Sequence, residues 1–232
     1  SPLSGEVFDT AFADKNDIAA NGSNRGIATY NPGQTGPAAW TYFTGSNINA
    51  SPGKGFSMKI TPDGKTFAAS GGEYADNAVG FEGDFNTEDV TINTNTTGFN
   101  LLGNPYTSSI SSAILLGEAA LSETQTIWIY DQSIGTNGSY VVKNLIHDFI
   151  LAPGQGFFVK ANAAGGTVNF AEANQRHNAD DTFQKTANTE IKLEISVDGF
   201  QNYAKVYYLD NATTGFDVGY EGELFGGTTD SF

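Results

Sequence analysis

The sequence predicts an all-β protein, an antiparallel β-sandwich architecture of two related units closed by a C-terminal hairpin. Three observations predict it. The composition is that of short strands and tight turns, with 17 Phe, 10 Tyr and 28 Gly in 232 residues. A nine-residue stretch, "SPGKGFSMK" at 51–59, returns as "APGQGFFVK" at 152–160, an offset of 101. Near the C-terminus, "NTEIKLEISVDG" alternates apolar and polar residues as a half-buried strand does.

The repeat extends beyond the turn. "IATYNP" at 27–32 faces "IWIYDQ" at 127–132, an offset of 100. Pro2 faces Pro105 and Phe67 faces Phe170, both at 103. Landmarks in one order with nearly constant spacing point to an internal duplication, here of two copies rather than a longer array. The expected domains are residues 1–97, a first β unit, and 98–232, a second unit plus the hairpin.

The elements follow in order. Each copy opens with an x-Pro turn and a polar stretch. A strand comes next, Ile27 to Tyr30 or Thr126 to Tyr130. A turn rich in Gly and Asn leads to an aromatic strand, "AWTYF" or "SYVV". The Pro-Gly-x-Gly-Phe corner follows; proline presets φ and the glycines permit positive φ. It leads into "GFSMKI" or "GFFVKA", and a last strand ends at Phe67 or Phe170. Between the copies, 78–96 reads as two strands with "GDFNTED" turning between them. Residues 111–122 carry at most a turn or two of helix. The final strand, with Ile191, Leu193, Ile195 and Val197 inward and Lys192, Glu194 and Ser196 outward, pairs with 203–210 across "DGFQN" and packs on the second unit.

Composition narrows the function. With 26 acidic and 11 basic residues the net charge is −15, which disfavours nucleic-acid backbones and anionic membrane surfaces. No cysteine is present, so disulfides, thiolate nucleophiles and thiolate zinc sites are excluded. The sequence shows no apolar run long enough for a membrane span and opens without Met, as a piece of a longer protein would.

Catalytic signals are sparse. His147 adjoins Asp148, and His177 precedes Asp180 and Asp181, but G-x-S-x-G and H-E-x-x-H are both absent. Calcium fits the sequence better, because loops rich in Asp and Asn supply the six to eight oxygens it takes. The candidate ligands are Asp131, Asn137, Asp210, Asp217 and Glu221; turns use the same residues without an ion. Glycan stacking has candidates in Trp40, Tyr42, Trp128 and Tyr140, with Tyr130 on the side of Trp128. Such rings also build β cores.

The segments "GFNLLGNPYTSSI", "TIWIYDQSIGTNGSYVV", "ILAPGQGFFVKA" and "VYYLDNATTGFDVGYEGELFGG" together resemble a region of large secreted proteins of Bacteroidetes, especially Flavobacteria. "LSGEVFDTAFADKNDIA" is similar to the upstream repeat of such proteins. In that family the region precedes a type IX secretion sorting domain. The resemblance implies export to the cell surface, with the type IX machinery as a partner through a sorting domain outside this chain. It supplies no catalytic residues. The expected role is a non-catalytic extracellular module for adhesion or binding of a polysaccharide or cell-surface glycan, or a β spacer. The alternative is a fragment of a polysaccharide-degrading hydrolase or lyase.

Overall fold

The computed structural model describes residues 1–61, 68–69, 72–73, 79–94, 98–136, 138–147, 149–176, 190–197, 200–207 and 212–223. Among the described residues, strands make up 43% and helices 13%, and the sheets are antiparallel, so the chain is all-β.

The first unit comprises β1 (Val7–Phe8), α1 (Thr10–Lys15), β2 (Ile27–Tyr30), β3 (Trp40–Tyr42), β4 (Ile48–Asn49) and β5 (Ser57–Met58). The second comprises β6 (Val90–Thr94), β7 (Gly98–Gly103), β8 (Ser109–Ser111), α2 (Ser112–Leu116), β9 (Thr126–Asp131), β10 (Ser139–Asn144), β11 (Ile150–Leu151), β12 (Gly156–Ala161) and β13 (Gly166–Phe170). The hairpin strands are β14 (Glu190–Val197) and β15 (Phe200–Tyr207). Further strands of two residues connect these elements.

The duplication is visible in the strand registers. In the first unit β2 lies between β3 and β5, with Tyr30 opposite Trp40, Ala28 opposite Tyr42 and Ile27 opposite Met58. In the second, β9 lies between β10 and β12, with Tyr130 opposite Tyr140, Trp128 opposite Val142 and Ile127 opposite Val159. Each second-unit residue is its counterpart shifted by 100 or 101 positions. In both units the strand before the helix pairs with the strand before the Pro-Gly corner.

One local expectation is corrected, and one element was not expected. The helix α1 was not legible as such. The Asp9 carboxylate caps it by accepting from the Phe12 amide at 2.7 Å, and Phe12 and Ala13 turn into the core. Two strands do lie within 79–94, but one of them, Asp84–Phe85, falls inside the expected turn, and the two do not pair with each other: Asp84–Phe85 pairs with Leu3–Ser4, whereas β6 pairs with β13. Val90 and Ile92 pack on the core that contains Leu116 and Ile127.

Two cores and a seam hold the chain together. Phe8, Phe12, Ile18, Ile27 and Phe43 form the first core, on one face of β2. Leu116, Leu121, Ile127, Leu151, Phe157 and Val159 belong to the second, under β9 and β12. On the opposite face, Trp128 and Phe158 gather Tyr30 and Trp40 of the first unit, with Phe99, Leu101, Tyr140 and Val142 of the second. The second sheet is thus covered on both faces, which is why Thr126 to Ile129 are all buried.

The two Pro-Gly corners meet at the end of β7. The Gly55 amide donates to the Leu101 carbonyl at 3.1 Å, the Gly103 amide to Gly53 at 3.0 Å and the Asn104 amide to Gln155 at 3.0 Å. A Cβ at Gly103 would stand 3.6 Å from the Lys54 carbonyl oxygen and 3.7 Å from that of Gln155. The recurring motif is therefore a pair of corners docked on one strand.

A strap, residues 212–223, crosses the second sheet. Its backbone carbonyls accept from side chains: Trp128 Nε1 to Glu223 at 2.8 Å, Thr126 Oγ1 to Glu221 at 3.2 Å, and Asn144 Nδ2 to Tyr220. The hairpin β14–β15 has the expected partners, beginning at Phe200 rather than 203. It does not pack as expected, since Ile191, Leu193 and Val206 are exposed.

Candidate functional site

The seam carries a run of aromatic rings from the first unit to the surface of the second. Trp40 meets Tyr30 at a centroid distance of 5.3 Å, and Tyr30 meets Phe158 at 4.9 Å. Phe158 meets Tyr140 at 5.6 Å, and Tyr140 meets Tyr130 at 5.3 Å. All four contacts are edge-on, the arrangement that places the positive ring edge against the negative face of its neighbour. The strand registers fix it: the ring pairs Tyr30–Trp40 and Tyr130–Tyr140 are cross-strand neighbours in their sheets.

The rings differ in access. Tyr130 is 47% exposed and Tyr42, beyond Trp40 on β3, is 50% exposed. Trp40 and Tyr140 are half-buried within the seam. Trp128 is 1% exposed, packs edge-on against Phe99 at 4.9 Å and spends its indole N–H on Glu223. As a glycan platform Trp128 is therefore corrected to a core residue, because no open face remains. Burial pushes the Tyr140 phenol well above its ordinary range, with Tyr130 and Tyr30 adding to the shift. The Tyr30 phenol is raised by burial as well. Both remain neutral, as desolvation disfavours the phenolate.

The following turn passes close to the Tyr130 hydroxyl. Gly138 has a φ of +75°, and a Cβ there would fall 2.4 Å from the Tyr130 hydroxyl oxygen. Only a glycine permits that approach without shifting the ring.

The calcium candidates are engaged in turns. Asp131 Oδ1 accepts from the Ser133 hydroxyl at 2.6 Å and its amide at 2.9 Å. Those bonds, hydroxyl first, lower its carboxyl below the ordinary aspartate value. Asp217 likewise accepts from the Thr213 hydroxyl at 2.6 Å and amide at 2.7 Å, and the Glu221 carboxylate accepts from the Asp217 amide at 3.0 Å. Asn137 and Asp210 lie outside the described residues, as do Asp148, His177, Asp180 and Asp181. Among the described residues no three His, Cys, Asp or Glu side chains come together.

Two clefts stand out among the described residues. One, of about 280 Å³, opens between the strap and β12; Lys160 pairs there with Glu223 at 2.7 Å beside Phe216, which is 53% exposed. The other, of about 340 Å³, lies between the hairpin and the loop after Tyr130, lined by Ser133, Lys192, Glu194, Asn202, Tyr203 and Lys205 among others. Alternation along β14 marked Lys192 and Glu194 as outward-facing, but the loop that turns them into a cleft wall is distant in sequence. Searches of family models, characterised proteins and solved structures find no match to this chain.

Proposed function

We propose that this chain is a non-catalytic, glycan-binding β module of a secreted cell-surface protein exported by the type IX route. One observation carries the reading. The aromatic seam that joins the two units ends in an accessible ring, Tyr130, packed edge-on against Tyr140 beside the turn at Gly138. A tyrosine held in this way offers a flat apolar face to a sugar ring and a hydroxyl to its polar rim, with little side-chain entropy left to lose. Tyr42 provides a second accessible ring on the first unit. The type IX assignment rests on the sequence resemblance.

A glycan array probed with the parent chain, Tyr130→Ala and Tyr42→Ala tests the proposal. Polysaccharide hits should appear with the parent and fall about tenfold in Tyr130→Ala, while its melting midpoint changes little. Parent hits that persist in both variants would move the binding site elsewhere. A parent chain without any hit would overturn glycan binding and leave the rigid seam as the core of a spacer.

A further inference from the structure

Among the described residues the hairpin β14–β15 is a ribbon of two strands, paired over eight residues each. Ile191 and Leu193 on β14 lie opposite Val206 and Ala204 on β15, so the four share one face, and all four are exposed. A two-stranded ribbon is marginal in water; three or more strands are needed to hold an apolar face. The outer edge of β14 also has no strand partner among the described residues. A long edge with apolar side chains is a template for pairing with another chain.

The two edges of the ribbon are not equivalent. On β15, Asn202 and Tyr203 are half-buried, in the cleft that Ser133 and Ile134 wall from the other side. On β14, residues 191–194 are all exposed. The more open edge is that of β14.

The sequence of β14 is complementary to itself. Lys192 and Glu194 follow each other on its polar face and already pair at 3.3 Å along the strand. Two copies laid antiparallel and centred on Leu193 bring Lys192 of each opposite Glu194 of the other, with Leu193 opposite Leu193. That register uses residues 190–196, nearly the whole strand. Centring on Lys192 or on Glu194 instead sets like charges opposite one another, which destabilises a strand pair. Centring between two residues sets charged side chains opposite apolar ones and turns one strand's apolar set to the wrong face. Centring on residue 191 or 195 shortens the overlap. The arrangement about Leu193 needs no free charge. The two intrachain pairs lie head to tail, and each ammonium gains a second carboxylate.

We propose that the outer edge of β14 is a self-association surface whose occupant is a second copy of this chain, paired antiparallel about Leu193. The product is a four-stranded antiparallel sheet in the order β15, β14, β14, β15. The contact is isologous, with its two-fold axis at Leu193, so association closes at the dimer. Backbone hydrogen bonds and the meeting of the two Leu193 side chains supply the affinity. The charges choose the register, since half-exposed ion pairs contribute little by themselves. The net charge of −15 on each copy opposes approach, so the dimer tightens as salt rises from low to physiological values. The inference does not rest on the glycan-binding reading; under that reading a dimer presents two Tyr130 rings to one polymer.

Sedimentation velocity of the full chain, from about 10 μM to 1 mM, tests the proposal. The parent should pass reversibly from monomer to dimer over that range. Lys192→Glu and Glu194→Lys each set like charges opposite one another at both symmetry-related positions, and each should weaken dimerisation about tenfold. An equimolar mixture of the two variants restores both attractive pairs, because one copy then carries two carboxylates and the other two ammonium groups. The mixture should dimerise as tightly as the parent, and so should the double variant K192E/E194K. Unfolded variants could produce neither result, which separates lost association from lost folding.

Single variants that dimerise as the parent does, or a mixture no tighter than its components, would place any dimer elsewhere and overturn the inference. A parent still monomeric at about 1 mM would overturn it as well and leave the edge to a strand of a different protein.

Discussion

Tyr30 of the first unit meets Phe158 of the second edge-on, with centroids 4.9 Å apart and ring planes at 85°. The contact joins two sheets that repeat each other's register. Phe158 is also the ring on which Trp40 and Tyr140 converge. Replacing it with alanine deletes every one of these contacts and leaves a cavity between the units. The expected cost of Phe158→Ala is about 3–5 kcal/mol. Each unit keeps its own core, so calorimetry should resolve two transitions where the parent shows one. A single cooperative transition at a lower midpoint would show that the cores do not unfold separately.

The docked corner gives a second prediction. A Cβ at Gly55 would lie 2.4 Å from the Leu102 carbonyl oxygen, and β7 is tied to β12 along its length and cannot retreat. Gly33 has positive φ but open space around it. Gly33→Ala should therefore cost about 1 kcal/mol, the penalty of the left-handed conformation alone. Gly55→Ala should cost more, about 2–4 kcal/mol, through collision with backbone. Urea midpoints measure both. Equal losses would mean that the corner does not clamp the second unit.

How far the sequence could be read depended on the range of the causes. The corners at 52–55 and 153–156 were legible because proline and glycine act locally, and the equivalence of β2 and β9 followed from spacing. The hairpin could be read from the alternation of Ile191 and Leu193. The exposure of those residues could not, because alternation separates two faces without saying what covers either. Trp128 illustrates the same limit: Tyr30, which packs on the cluster it forms with Phe158, and the strap carbonyl of Glu223 lie about 100 residues away in either direction. The strap is not legible in the sequence. Phe216, Val218 and Tyr220 alternate with polar residues and glycine, yet the segment forms no strand and these three side chains stay exposed; side chains of Asn144, Thr126 and Trp128 hold it by its backbone.

That strap yields a third prediction. Trp128→Phe retains a buried aromatic ring but removes the indole donor to the Glu223 carbonyl. The lost bond should cost about 1 kcal/mol, with a further loss from the smaller ring. The local effect is the more telling one. A glutamate-specific protease should cut after Glu221 or Glu223 faster in Trp128→Phe than in the parent, because local opening becomes more frequent. Unchanged cleavage would mean that the remaining bonds to Tyr220 and Glu221 suffice to hold the strap.

The turn within the strap should respond to acid. The Asp217 carboxylate accepts from the Thr213 hydroxyl and amide, and these bonds, the hydroxyl first, lower its carboxyl below the ordinary aspartate value. A carboxyl depressed in the folded state stabilises it at pH above the unfolded-state value. That contribution fades as pH falls through the lower folded-state value. A proton NMR titration should show the Thr213 amide moving with a midpoint below that of an aspartate in an unstructured peptide. Thr213→Val keeps the amide bond but loses the hydroxyl, so the Asp217 midpoint should rise partway back. Asp217→Asn should abolish the titration of the Thr213 amide altogether. A parent midpoint at the ordinary aspartate value would show that the turn is not closed in solution.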